Sequence, residues 1–107
     1  MKQAFANPFE CYEAIGNWLI EAAPEPWKQI TVEFEIIEID DVSDYCIYYS
    51  PKHSWRKEGQ FFIEHAHFTD CFFQLAHLTS TPEKGLFKTC HFVLSDVGTY
   101  KADFAYQ

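Results

Sequence analysis

The sequence predicts an α+β fold: a single antiparallel sheet of about five strands with two helices packed on it, in the order α-β-β-β-α-β-β. Three observations carry this. Apolar residues recur at helical spacing in two windows, they alternate with period two in the segments between and after, and short polar turns join successive strand segments, which demands antiparallel pairing. A chain of 107 residues suits one hydrophobic core, so residues 1–107 are expected to form one domain.

The first helix opens at Asn7-Pro8-Phe9-Glu10, with Asn as the cap, Pro at the first helical position and Glu placed to bond back. Cys11, Ile15, Trp18, Leu19 and Ala22 then fall on one stripe, the expected core face. Pro24 and Pro26 stop it. In the next segment Ile30, Val32, Phe34 and Ile36 alternate with Thr31, Glu33 and Glu35, and the phase slips at Ile36-Ile37, which predicts a bulge with Ile37 and Ile39 continuing the apolar set. Asp40 to Asp44 reads as a polar turn and Tyr45 to Tyr49 as the second strand. After a loop over Pro51 to Gly59, a short third strand spans Gln60 to Glu64. Phe68, Cys71, Phe72, Leu75 and Leu78 mark the second helix, ended by Ser80 to Gly85. Strands over Leu86–Leu94 and Thr99–Tyr106 close the chain, joined by a turn with Gly98 free to take positive φ.

Charge is unevenly spread. Asp and Glu number 16 against 8 Lys and Arg, a formal charge of −8. Between Gln29 and Pro51 there is no Lys or Arg at all, while Glu33, Glu35, Glu38, Asp40, Asp41 and Asp44 all fall there. Such a surface repels itself unless a cation meets it or water screens it, so it suits a cationic partner. It does not suit nucleic acid or anionic lipid directly, because binding phosphate depends on Lys and Arg. No run of about twenty apolar residues is present to span a bilayer, and no leader-like pattern precedes the first helix, so the expected location is the cytoplasm. Aromatic residues make up 19% of the chain, more than a small core needs. Tyr48 and Trp55, next to the acidic run, are the candidate anchors of a contact surface, with sheet packing as the alternative for each.

Signals for chemistry are sparse. Cys11, Cys46, Cys71 and Cys90 are widely spaced, unlike a disulfide framework or paired zinc knuckles. His65, His67 and Cys71 are the best metal candidates, with His77, His91 or Glu64 to complete a set, which leaves a small metal-dependent hydrolase as an alternative class; the plainer reading is that these histidines cap or line the second helix and the cysteine fills the core. Adjacent Cys90 and His91 would point to opposite faces of a strand and cannot act as nucleophile and base. Glu33 and Glu35 share a strand face, but it reads as the wet one, where neither carboxyl would be desolvated for acid–base work. No phosphate-cradling glycine loop is present. The expectation is a non-enzymatic protein without cofactor or metal; a homodimeric adaptor that uses exposed aromatics is a further alternative.

Three stretches carry a family likeness: Ile20-Glu21-Ala22-Ala23-Pro24-Glu25-Pro26-Trp27, Tyr48-Tyr49-Ser50-Pro51, and the closing hairpin from Phe92-Val93-Leu94 through Gly98-Thr99-Tyr100-Lys101-Ala102-Asp103-Phe104-Ala105-Tyr106. In these the chain resembles the YezG-like immunity proteins, bacterial antitoxins encoded beside polymorphic secreted toxins. The resemblance implies an inhibitor that occludes the C-terminal toxic domain of a secreted protein, often a nuclease. Nuclease sites are basic, so the acidic run of Glu33, Glu35, Glu38, Asp40, Asp41 and Asp44 with Tyr48 and Trp55 is the expected contact surface.

Overall fold

The computed structural model describes residues 4–53 and 57–106. The element order is α1 (Pro8–Ala22), β1 (Trp27–Glu38), β2 (Val42–Pro51), β3 (Gly59–Phe61), α2 (Ala66–Leu78), β4 (Thr89–Ser95) and β5 (Tyr100–Ala105). The five strands form one antiparallel sheet, as the alternation and short turns predict, and their spatial order is β3-β2-β1-β4-β5. Among the described residues no helix is long and apolar enough to cross a membrane.

The N-terminal end of α1 is built as its sequence reads. The Asn7 side chain accepts a hydrogen bond from the Glu10 backbone N–H at 3.1 Å, and Glu10 Oε1 accepts one from the Ala6 N–H at 2.8 Å, so two donors that the helix cannot satisfy are met. Cys11, Ile15 and Leu19 are buried and Trp18 partly so, but Ala22 is exposed and Ala23 takes the core position instead. Helix α2 begins two residues earlier than its apolar spacing suggests, because the His65 imidazole caps it, Nδ1 accepting from the His67 N–H at 3.2 Å.

Both helices lie on one face of the sheet. Tyr12 of α1 stacks near Phe92 of β4 and Tyr100 of β5, while Phe72 and Phe73 of α2 meet Phe34 of β1. Phe34 is the pivot: it is 1% exposed, parallel to Phe72 at 4.5 Å between ring centres and edge-on to Phe73 at 5.7 Å. Burying one such ring contributes roughly 1.5–3 kcal/mol. Ile30, Val32, Ile36, Ile47, Cys90, Phe92 and Leu94 complete the sheet's inner side.

Strand bounds depart from expectation at their ends. Phe87 packs flat on Phe104 at 5.0 Å but lies before β4, and Ile63 is buried beyond β3, so apolar burial there outruns the hydrogen-bonded ladder. The β1–β2 register shifts between Ile36 and Glu38, leaving Ile37 as the bulged residue. Ile37 and Ile39 nonetheless stay 54% exposed, since the bulge carries them past the core rather than into it. The turn between β1 and β2 is shorter than the sequence suggests, so Val42, Ser43 and Asp44 belong to β2. Gly98 sits at φ 89° in the β4–β5 turn, a conformation open to glycine at no steric cost.

Candidate functional site

With both helices on one side, the opposite face of the sheet carries no helix among the described residues. Its residues follow from the period of two: once Ile30, Val32, Phe34 and Ile36 point inward, Gln29, Thr31, Glu33 and Glu35 must point outward. The register aligns them into rows that cross the strands. Cys46, Glu33, His91 and Asp103 form one row, and Asp44, Glu35, Thr89 and Ala105 the next. Tyr48, Thr31, Val93 and Lys101 form a third. Glu33, Glu35, Asp44, Cys46, Thr89 and His91 line an open trough of about 410 Å³.

The trough is electrostatically negative with partial compensation. His91 Nδ1 lies 3.7 Å from Glu33 Oε1. Lys88 Nζ donates to the Ile36 carbonyl at 2.7 Å and lies 3.6 Å from Glu35 Oε2, and Lys101 pairs with Asp103 at 3.7 Å. Asp44 stands directly opposite Glu35, a like-charge pair that costs stability. The Tyr48 phenol is pushed up from its ordinary pKa, first by burial, then by the charge of Glu33 and the hydrogen bond to it. Thr31, flanked by Tyr48 and Val93, is only 5% exposed although it lies on this side. The result is a shallow acidic surface with one anchored aromatic ring.

The six carboxylates expected to act together are divided by the fold. Glu33, Glu35 and Asp44 share the open face with Tyr48. Glu38 and Asp41 sit at the hairpin tip beside exposed Ile37, Ile39 and Val42. Asp40, held at φ 60°, is paired with His77 at the end of α2, its two carboxylate oxygens 3.0 and 2.9 Å from Nε2. That pairing draws it toward the helix side, away from the trough. Trp55 lies outside the described residues. His91 and Asp103 join the acidic face, although the acidic run on β1 and β2 gave no sign of them. Their signal was the strand phase of β4 and β5, which becomes useful only once β4 is known to lie beside β1.

The His65, His67 and Cys71 group does not open onto the trough. His65 is spent on its cap, and the Cys71 thiol donates to the His67 carbonyl at 3.1 Å. Burial pushes the Cys71 thiol up to about 12, which keeps it protonated and a poor ligand or nucleophile. Among the described residues, no group of three or more His, Cys, Asp or Glu is placed to hold a metal ion. Cys90 is buried while His91 faces solvent, on opposite sides of β4 as the alternation requires. All four cysteines are free thiols, and Cys46 alone of them is exposed.

No protein-family model matches the chain, and no curated protein matches it.

Proposed function

We propose that this protein is an immunity protein: a non-catalytic inhibitor that binds a cationic secreted toxin domain, a nuclease in the first instance, and shields it stoichiometrically in the cytoplasm of the cell that makes it. The observation that carries this reading is the sheet face that bears no helix among the described residues, where Glu33, Glu35 and Asp44 stand together in spite of the repulsion between them. Charge kept at a cost to stability points to a use in binding. A flat acidic face complements the basic cleft of an enzyme that handles phosphate, speeds the encounter, and excludes the substrate once seated. Tyr48, beside Thr31 and Glu33, would serve as the aromatic anchor. The resemblance in the closing hairpin and in Tyr48-Tyr49-Ser50-Pro51 supports the same role.

The test is growth of bacteria co-expressing the cognate toxin domain, sought among the genes that flank the one for this protein. Wild type should protect, and Glu33→Lys/Glu35→Lys/Asp44→Lys should lose protection while remaining folded. Full protection by the folded triple variant would remove the open face from the mechanism.

A further inference from the structure

The two edges of the sheet are unequal. Strand β3 offers only Gly59–Phe61, but β5 runs from Tyr100 to Ala105 with no strand beyond it among the described residues. Which of its backbone groups are free follows from its pairing with β4. The Ser95 N–H donates to the Thr99 carbonyl at 2.8 Å, and at the other end the Lys88 N–H donates to the Ala105 carbonyl at 2.7 Å. Odd-numbered residues of β5 therefore turn their N–H and C=O toward β4. By the alternation of an antiparallel ladder, Tyr100, Ala102 and Phe104 turn theirs outward to the open edge.

We propose that this edge pairs with β5 of a second copy about a two-fold axis at Ala102, joining two sheets into one continuous sheet. In that register Ala102 exchanges hydrogen bonds with its own counterpart, and Tyr100 exchanges them with Phe104 of the other copy. Lys101 then stands opposite Asp103 of the other copy, and Asp103 opposite its Lys101, in the non-hydrogen-bonded positions where side chains approach most closely. A strand that reads aromatic, Lys, Ala, Asp, aromatic is thus complementary to itself when reversed, as an isologous interface requires. Within one chain Lys101 and Asp103 pair with each other at 3.7 Å, both well exposed and open to exchange for the partners across the axis.

The flanking surface on the helix side agrees. Phe9 of α1 is 67% exposed and edge-on to Tyr12, whose ring lies 5.3 Å from that of Tyr100, itself 38% exposed. The two-fold axis brings these aromatic shelves of both copies toward each other, so the new ladder is bordered by apolar area on one side and by ion pairs on the other. The net charge of −8 opposes association, but β5 contributes one Lys and one Asp and is itself neutral. The acidic trough lies across β2, β1 and β4 and stays open. The interface is independent of the toxin-binding reading.

The experiment is mass measurement of the full chain by sedimentation equilibrium over a dilution series. Wild type should pass from the 12.6 kDa chain to twice that mass as concentration rises. Ala102→Pro removes an N–H that the β4–β5 ladder does not use and should weaken association by roughly tenfold or more. Lys101→Asp and Asp103→Lys each place like charges face to face and should weaken it by a similar factor, while Lys101→Asp/Asp103→Lys together should restore it. If Ala102→Pro fails to fold, the charge swaps decide. A monomer at every concentration, a dimer indifferent to the single swaps, or assembly beyond a dimer would each overturn the proposal.

Discussion

Replacing Asp44 by Lys should make the protein more stable and worse at its proposed task. Asp44 and Glu35 are direct cross-strand partners, and Glu35 is half-exposed with Lys88 as a partial counterion at 3.6 Å. At ~5 Å between charges in water, their repulsion is about 0.8 kcal/mol, within the roughly 0.2–1 kcal/mol of a cross-strand pair. The introduced ammonium would remove that repulsion and add an attraction of similar size, so the gain is about 1.6 kcal/mol at low ionic strength. It should shrink toward zero in about 1 M salt, where the screening length falls to about 3 Å. Urea unfolding at low and high salt measures this directly, with the m-value unchanged. Any gain from the better strand preference of Lys over Asp is independent of salt, so the salt-dependent part is the reading to take. A variant that loses stability at low salt, or gains equally in high salt, would refute the claim that these carboxylates strain the face. The same variant should bind the toxin domain more weakly, because it puts a cation in the trough.

Phe34→Ala should cost about 3–5 kcal/mol in denaturant unfolding, since it empties the slot between Phe72 and Phe73; a loss below about 1.5 kcal/mol would mean that the core does not pivot there. An aromatic thiol reagent should titrate Cys46 rapidly in the native protein and reach Cys11, Cys71 and Cys90 only on unfolding, because those three are buried. Burial also pushes Cys11 up to about 11 and Cys71 and Cys90 up to about 12, from an ordinary value of 9.0. Raised thiols favour the folded state while protonated, so their contribution is whole below pH 9 and is lost as pH climbs toward 12. Thermal melts should therefore fall across that window, and less steeply for Cys90→Ala than for wild type.

Much of the fold is legible in the residues because its signals are local. The Asn7 cap, the stop at Pro24 and Pro26, the alternation from Ile30 to Ile36 and the Gly98 turn each depend on neighbours within a few positions. Where local signals end, the reading slips. Ala22 and Ala23 are chemically alike, so only the docked helix decides which is buried. His65 caps α2 and Cys71 fills the core, in keeping with the plainer reading of that group; His is not a usual capping residue, but its ring nitrogen can accept like a carbonyl. Ile37 and Ile39 read as core from hydropathy and lie outside it because the hairpin tip runs past the helices that cover the rest of the strand.

The candidate site was legible in composition but not in grouping. The absence of Lys and Arg from Gln29 to Pro51 marks the acidic segment, yet the segment bends through a tight turn. Period two sends Glu33, Glu35 and Asp44 to one side, while the left-handed backbone at Asp40 and the partner imidazole of His77 pull that carboxylate to the other. His91 and Asp103 enter the face through strand order, a property of distant pairings that no single segment records.

Alternation along β1 also separates two kinds of inheritance. Even positions from Ile30 to Ile36 hold the interior, while Gln29, Glu33 and Glu35 meet the outside and Thr31 is covered between Tyr48 and Val93. A lineage can therefore rewrite these three outward residues, exchanging acid for amide, hydroxyl or ring, without disturbing the scaffold that displays them. Rapid diversification of what the sheet recognises is open to this architecture at little risk to folding.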